Sequence, residues 1–457
     1  MFYINSFDIF VGVIIKPRSK LMQTLHKLEK QEILDLFKSG CKNSTKIGME
    51  YERLPISQTT SKAVDYGSDC GVCNFLRNFA REENWDYITD DYNIIGLKQE
   101  HDTITLEPGC QIELSIKPEN TIQELKNKVD SLNKKMTPIL DKFGIKLLNY
   151  GVSPLSTNKS INLIPKKRYK LMAKYLWGIL SDVMMRETAG IQCCIDFESE
   201  EDAVQKFKIA NKLTPFMTAM FANSPIRGGV ETGYKSFRAL SWLNTDNDRC
   251  GFVGQIDDRF SFEEYIDYVL DTRMIFINRN NDVVPINGKI TFNEFMQNGF
   301  EGFEANIEDF NLHANLYFPE VRMRNFLEIR NHDCVGKDLQ YSILAIYKSI
   351  LYNHGAMSEI EELFSPFDYR DFSELRYNVP KNAMNTKIGR YFVKDIAKEI
   401  LYISEKSLIE ENLGEDKFLE PIKEYTSAGI CPADVIIRNW NGLWHKDVKK
   451  LIEFVGE

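Results

Sequence analysis

The amino-acid sequence predicts an α+β fold, because strand-like and helix-like segments alternate irregularly along its 457 residues. With 43% apolar residues, the chain can bury a substantial core, which argues against disorder. Its length suits one large domain or two to three ordinary ones. No internal repeat and no low-complexity linker marks a boundary between domains.

Several segments carry the signals of helix and turn boundaries. Thr121–Glu124 is a capping-box pattern that precedes apolar residues at helical spacing, and Ser199 precedes a second run of this kind. Residues 341–352 and 393–409 also predict helices. The sequence Asn280–Asp282 predicts the turn of a β-hairpin.

Four strand-like segments place polar side chains on one face and apolar side chains on the other. These segments are IGMEYERL (47–54), LEPGCQIELSI (106–116), GIQCCIDF (190–197) and VRMRNFLEIR (321–330). The predicted polar faces contain Glu50, Glu52, Glu107, Gln111, Glu113, Ser115, Gln192, Cys194, Asp196, Arg322, Arg324, Glu328 and Arg330. One such strand is usually a solvated sheet face. Four of them, with arginines beside carboxylates, indicate one shared polar site.

The residue types on these faces point to phosphoryl transfer. If the strands share a sheet, about five carboxylates lie close together and raise one another's pKa values. Mg²⁺ or Mn²⁺ would relieve that repulsion, because both ions prefer oxygen ligands. Arginine suits phosphate or a substrate carboxylate. The combination predicts a nucleotide-dependent site, although the sequence has no Walker A, GxGxxG or HExxH pattern.

The net charge and the cysteine pattern argue against a nucleic-acid-binding protein and against a disulfide-stabilised one. A net charge of −9 without a dense Lys/Arg block argues against nucleic acid as the main partner. Pro165–Arg168 is a local basic patch that is interpreted most simply as a solvated loop. Nine irregularly spaced cysteines fit a reducing compartment, and the lone Cys70–Cys73 CxxC pair is a weak metal signal.

The apolar run Ile9–Ile15 has its basic residues after it rather than before it, which is the wrong order for a secretory signal. No segment approaches the roughly 20 apolar residues of a membrane span. These features together predict a soluble cytoplasmic protein that does not bind membranes.

An ordered series of motifs resembles those of the glutamate–cysteine ligase family of the plant and proteobacterial type. The motifs are SGCK (39–42), IGMEYER (47–53), NIIGLKQ (93–99), LEPGCQIELS (106–115), ANSPIRGG (222–229), NTDNDR (244–249), FPEVRMRNFLEIR (318–330) and GICPADVIIRNWNG (429–442). The resemblance implies a single catalytic domain over residues 25–457, with a mainly helical C-terminal part. Residues 1–24 would be an N-terminal extension.

The resemblance also implies a glutamine-synthetase-like fold, in which a curved antiparallel sheet forms a cup and helices pack on its outer side. The implied reaction ligates L-glutamate, through γ-glutamyl phosphate, to L-cysteine. ATP is the co-substrate, and the products are γ-glutamylcysteine, ADP and phosphate, in the first step of glutathione biosynthesis. The enzyme would be a monomer or a homodimer.

Matching the motifs position by position implies a role for each polar residue. Arg330 would hold the transferring phosphate, and Arg238 in SFRALSW would hold a substrate carboxylate. Gln192 and Arg186 would also bind substrate. The implied ligands of Mg²⁺, or of Mn²⁺, are Glu50, Glu52, Glu107, Glu113 and Glu328.

Some positions depart from the family pattern. Cys194 stands where plant members have asparagine, Glu187 where they have arginine, and Tyr51 where they have histidine. These changes leave the carboxylates intact but bear on the amine acceptor. A carboxylate–amine ligase that uses a different amine is therefore the alternative. A non-catalytic descendant is disfavoured, because it should have lost part of the charged set.

Overall fold

The computed structural model describes residues 27–254, 260–280 and 282–457. The predicted extension at residues 1–24, the apolar run Ile9–Ile15 and Asn281 of the predicted turn lie outside the described residues. The domain boundaries inferred from the sequence stay a prediction.

The described strands are β1 (Ile47–Ser57), β2 (Asp86–Asp90), β3 (Asn93–Gln99), β4 (Asp102–Leu106), β5 (Ile112–Glu119), β6 (Ile145–Leu148), β7 (Gly190–Ile195), β8 (Ile226–Arg227), β9 (Val230–Glu231), β10 (Cys250–Gly251), β11 (Phe276–Arg279), β12 (Asp282–Pro285), β13 (Phe318–Pro319), β14 (Val321–Met323), β15 (Leu327–Asp333), β16 (Lys387–Ile388) and β17 (Tyr391–Phe392). The described helices are α1 (Lys30–Lys38), α2 (Val72–Glu83), α3 (Ile122–Lys142), α4 (Lys167–Tyr175), α5 (Ser181–Glu187), α6 (Glu200–Met220), α7 (Phe237–Leu243), α8 (Phe262–Asp271), α9 (Phe292–Asn298), α10 (Ile307–Asn315), α11 (Leu339–Leu351), α12 (His354–Phe364), α13 (Tyr369–Asn382), α14 (Val393–Glu411), α15 (Glu420–Ser427), α16 (Pro432–Asn441) and α17 (Val448–Val455).

A nine-stranded sheet organises the fold, in the order β14-β15-β7-β1-β5-β4-β3-β2, with β6 paired to β1. Every pair of neighbouring strands in this sheet is antiparallel. The predicted α+β class and antiparallel sheet are confirmed. The β11–β12 hairpin also forms where the sequence predicts it.

Two segments that the sequence predicts as single strands are instead hairpins. Residues 107–111 turn between β4 and β5, since Pro108-Gly109 is a turn signal that outweighs the alternating pattern. Residues 324–326 turn between β14 and β15, so Arg322 lies directly opposite Glu328. The predicted grouping of these two residues on one face survives, because cross-strand partners point to the same side of a sheet.

Helices cover the apolar side of the sheet. α3 packs on β5, α6 on β15 and α11 on β7. The predicted cap of α3 is present, because Thr121 Oγ1 accepts a hydrogen bond from Glu124 N at 3.2 Å. Ser199 caps α6 in the same way, through Asp202 N at 3.2 Å. None of the described helices has the length and apolar character needed to cross a membrane.

The polar side of the sheet is covered differently, by short helices and loops. α4 and α5 follow one another over this side, and α7 contacts both α5 and β15. These segments close a cavity against the strands β1, β4 and β5. The predicted carboxylates therefore lie beneath these helices and loops rather than on an open sheet face.

Candidate active site

A cavity of about 180 Å³ lies over the polar side of the sheet. It brings together most of the residues that the sequence predicts for the site. Those lining it are Glu50, Glu52, Glu107, Glu113, Gln192, Arg238 and Arg330. Glu328 and Arg186 do not line it.

The strand register explains how the carboxylates meet. Glu52 on β1 lies opposite Glu113 on β5, and Glu50 lies between Ser115 on β5 and Gln192 on β7. Like charges directly opposite each other in a sheet are destabilising. The arrangement therefore favours a state in which a proton or a cation neutralises part of the charge.

The pKa values of these carboxyls respond to that environment. Burial and then the charge of Glu328 raise the pKa of Glu50 to about 7. Burial also raises the pKa of Glu113 well above its usual range, and Glu50 and Glu107 add to the effect. The pKa of Glu52 is raised by burial, against the opposing charge of Arg238.

Hydrogen bonds fix Glu52 and Gln192 on the sheet side of the cavity. Glu52 accepts from Gly190 N and from Gln192 Nε2, each at 2.6 Å. The Oε1 atom of Gln192 is buried and has no hydrogen-bond partner among the described residues. A buried acceptor without a partner is costly. This oxygen is therefore available to a ligand in the cavity.

Arg238 enters the cavity from α7 and is only 2% exposed. Its Nη2 donates to the Arg330 carbonyl oxygen at 3.0 Å, while Nε and Nη1 have no partner in the described part of the chain. Asp333 accepts from Ser236 Oγ at 2.7 Å, and Ser236 caps α7. This contact fixes the start of the helix that carries Arg238.

Glu328 lies in an arginine cluster. Its carboxylate accepts from Arg322 Nη2 at 2.8 Å and forms an ion pair with Arg330. Burial alone would raise its pKa, but Arg322, Arg330 and Arg324 together lower it to about 2. The side chain is fully buried between its partners. Its predicted role as a metal ligand stays a prediction, and would require these ion pairs to open.

Comparison with known proteins places this chain in a family. A profile described as Glutamate-cysteine ligase family 2(GCS2) matches residues 46–453. The chain is 32% identical over 445 residues to "Glutamate--cysteine ligase B, chloroplastic" of Oryza sativa subsp. japonica, covering 96% of this chain and 89% of the relative. It is 30% identical to "Glutamate--cysteine ligase, chloroplastic" of Arabidopsis thaliana, covering 96% and 84%.

The chain belongs to the glutamate–cysteine ligase family. The predicted family and enzyme class are confirmed. A solved structure of glutamate–cysteine ligase from Francisella tularensis in complex with AMP has a similar fold, with a TM-score of 0.57 and 12% identity, covering 88% of this chain and 86% of that one. At that identity the likeness supports the fold alone.

The prediction of a cytoplasmic protein is contradicted. The relatives from rice, Arabidopsis thaliana and Medicago truncatula are all named as chloroplastic glutamate–cysteine ligases. The prediction used cysteine spacing and the pattern of a secretory signal, and neither separates the cytoplasm from another reducing compartment. No disulfide bond joins any of the nine cysteines, all of which lie in the described residues.

Arg186 is the second predicted site residue that lies outside this family member's cavity. Its Nε pairs with Asp182 at 2.5 Å, and its Nη1 donates to the Ile161 carbonyl oxygen at 2.7 Å. The adjacent Glu187 pairs with Arg227 at 2.6 Å. In the described structure, neither Arg186 nor Glu187 therefore lies with the carboxylates that line the cavity.

The sequence interpretation missed a basic end of the cavity. Lys166, Arg168 and Tyr169 line it, and the Tyr169 hydroxyl lies 3.3 Å from Glu107 Oε1. Burial, followed by the charge of Arg168, lowers the pKa of Lys166 to about 7. The interpretation of Pro165–Arg168 as a solvated loop is wrong for these basic residues. The basic cluster itself was the signal that could have located them.

The donor set fits partial coordination of a divalent ion. In residues 27–254, 260–280 and 282–457, no three Asp, Glu, His or Cys side chains converge on one metal position. Mg²⁺ in phosphoryl-transfer sites usually takes one or two carboxylates, with waters and substrate phosphates completing its shell. Carboxyls with raised pKa values beside the unpartnered Gln192 oxygen suit that form of binding.

Proposed function

We infer that this protein is a glutamate–cysteine ligase, which joins the γ-carboxylate of L-glutamate to the amine of L-cysteine with ATP as co-substrate. The products are γ-glutamylcysteine, ADP and phosphate. The observation that carries the inference is that one cavity, within the region matched by the family profile, is lined both by carboxylates and by arginines, among them Arg238 and Arg330.

The metal is proposed to be Mg²⁺, with Mn²⁺ as an alternative. The residues proposed to hold it are Glu50, Glu52, Glu107 and Glu113, with Gln192 as a neutral oxygen ligand. A divalent ion supplies charge neutralisation for the phosphates of ATP. Glu328 has a different role in this proposal, because its ion pair with Arg330 sets the position of that guanidinium.

The first chemical step activates a poor acyl donor. An oxygen of the glutamate γ-carboxylate attacks the γ-phosphorus of ATP, a new C–O–P linkage forms, and the bond to the β-phosphate oxygen breaks. Arg330 is proposed to hold the transferring phosphoryl group, because its guanidinium can stabilise the charge on the phosphoryl oxygens. The chain's own side chains need not act as nucleophiles here.

The second step forms the amide bond. The neutral amine of the acceptor attacks the acyl carbon of γ-glutamyl phosphate, and inorganic phosphate leaves with the C–O bonding electrons. The nitrogen loses one proton, which the departing phosphate accepts. Arg238 is proposed to hold a substrate carboxylate through its unpartnered Nε and Nη1 atoms. Met172, Met184 and Trp242 line the same cavity and help to exclude water from the acyl phosphate.

The test is phosphate release from ATP with Mg²⁺ and L-glutamate across a panel of amines, with the products identified by mass. Release that depends on L-cysteine, with γ-glutamylcysteine formed, supports the proposal. Release with a different amine only would reassign the acceptor while keeping the activation step. No release with any amine, together with no Mg²⁺ binding by the purified protein, would contradict the proposal.

A further inference from the structure

The reverse side of β1 holds a buried arginine that the catalytic proposal does not use. Arg53 follows Glu52, so its side chain points away from the catalytic cavity. It is only 1% exposed, and its guanidinium carbon lies 4.9 Å from the centre of the Tyr51 ring. The two sides of one strand therefore each present charged groups, and only one side belongs to the ligase site.

Only one edge of this guanidinium is paired. Arg53 Nη1 donates to Glu457 Oε2 at 2.9 Å. Its Nε and Nη2 atoms are buried and have no hydrogen-bond partner within the described residues. Burying a donor without a partner is unfavourable. The Nε–Nη2 edge is the fork that matches a carboxylate in a bidentate contact.

Arg53 also lines a second cavity, with a volume of about 320 Å³. One face of α3 and the strand β6 form its walls, and none of its residues lines the catalytic cavity. It is lined by Arg53, Asp130, Asn133, Met136, Thr137, Leu140, Leu147 and Glu457. The Asn133 Oδ1 atom is also buried without a partner in the described part of the chain. Residues that line the cavity thus carry both unpartnered donors and an unpartnered acceptor.

The charges around the cavity select the class of ligand. Arg53 carries one positive charge, whereas Asp130 and Glu457 carry two negative charges. Asp130 also pairs with Lys126 at 3.2 Å on the outer side of α3. A simple anion would suit the arginine fork but would be repelled by the two carboxylates. A simple cation would suit the carboxylates but would be repelled by Arg53.

We propose that this cavity binds a free α-amino acid as a zwitterion. The ligand's carboxylate takes the Nε–Nη2 edge of Arg53, and its ammonium group lies between Asn133 Oδ1 and the Glu457 carboxylate. Met136, Leu140 and Leu147 provide an apolar wall for the ligand's side chain. The site is distinct from the catalytic cavity, because the sheet separates the two.

The experiment measures binding of L-leucine, glycine, acetate and methylammonium to the whole protein by calorimetry. L-leucine is expected to bind with a Kd on the order of 1 mM, since one bidentate contact and one apolar wall support weak binding. Glycine should bind more weakly, because it lacks the apolar side chain. Acetate and methylammonium each satisfy only half of the site and should bind at least about tenfold more weakly than L-leucine.

Variants separate this site from the catalytic one. Arg53→Lys keeps the charge but removes the fork, so binding of L-leucine should weaken by about tenfold or more. Asn133→Ala, on the more accessible helix face, provides a second test if the first variant folds poorly. Exposed Lys134, which does not line the cavity, gives the matched control Lys134→Ala, which should bind L-leucine as the natural protein does.

Three results would overturn the proposal. The first is the absence of saturable L-leucine binding up to about 20 mM. The second is acetate binding as tightly as L-leucine, which would indicate a simple carboxylate site. The third is binding that Arg238→Lys abolishes while both Arg53→Lys and Asn133→Ala retain it, which would place the ligand in the catalytic cavity.

Discussion

The pKa values of buried glutamates are raised in one half of the polar sheet face and lowered in the other half. Glu50 and Glu113 lie among other carboxylates, and burial together with those charges raises their pKa values. Glu328 is equally buried, yet the arginines beside it lower its pKa to about 2. Because burial is shared, the difference comes from the neighbouring charges.

This contrast assigns different tasks to the two halves. The carboxylate half, with Glu52 opposite Glu113, crowds negative charges together and is suited to receive a cation. The arginine half already balances Glu328 and still has unpartnered donors on Arg238. It is suited to receive an anion, such as a phosphate or a carboxylate. A ligase that joins two substrates through a phosphorylated intermediate needs both tasks side by side.

The largest expected effect is on stability, from Glu328→Gln. This change leaves the charges of Arg322 and Arg330 buried without their counter-ion, which should lower the free energy of unfolding by ~3–5 kcal/mol. The matched variant Glu113→Gln should leave it unchanged or raise it near neutral pH, because it removes a crowded carboxylate. Urea unfolding measures both. Equal losses in the two variants would contradict the contrast between the halves.

The second effect is a pH dependence of stability in the metal-free protein. Glu50 has a pKa of about 7 when folded, against an ordinary value of 4.5. Below pH 4.5 it is protonated in both states; as the pH rises to about 7, the unfolded chain loses the proton first, so stability falls. The expected loss from Glu50 is about 3 kcal/mol, and this contribution levels off above that window.

The control for this pH dependence is Glu50→Gln, which should make the decline between pH 4.5 and about 7 smaller, while the raised pKa values of Glu52 and Glu113 contribute the rest. Added Mg²⁺ should stabilise the natural protein more above this window than below it, because the ion competes with protons for the same oxygens. Urea unfolding at several pH values, with and without a chelator, measures both. A decline that persists unchanged in the variant would remove Glu50 as its cause.

The third effect is on the rate of phosphoryl transfer. Arg330→Ala should lower kcat about 100-fold, which corresponds to ~2.7 kcal/mol of transition-state stabilisation, with a smaller change in KM. Arg186→Ala serves as the control, because that side chain lies outside the cavity, and its kcat should stay near normal. Phosphate release at saturating substrates is the measurement, and an unchanged rate in the Arg330 variant would exclude its proposed role.

The smallest effect separates two adjacent lysines. Lys166 lines the cavity, whereas Lys167 points outward and pairs with Asp91 at 3.4 Å and Asp282 at 3.3 Å. Lys166→Met should raise the KM of ATP or of glutamate about tenfold, and Lys167→Met should not change either. Steady-state kinetics with each substrate varied in turn would show this. The same response in both variants would indicate a general charge effect rather than a cavity contact.

The sequence by itself determined the fold class, the family and the identity of the polar sheet face. Alternation of polar and apolar residues depends only on the geometry of an extended chain, so Glu50 and Glu52 could be assigned to one side before any contact was known. Helix caps such as Thr121 are equally local, because their hydrogen bonds span three residues.

Only the tertiary structure decided which charges meet. The turn at residues 324–326 brings Arg322 opposite Glu328, and the covering helices carry Lys166 into the cavity while leaving Arg186 outside. These contacts join residues that are distant in sequence or lie across a turn, and hydrophobic patterning does not encode charge pairing. The same limit applies to Arg53, whose unpaired edge results from the packing of α3 and β6 against β1.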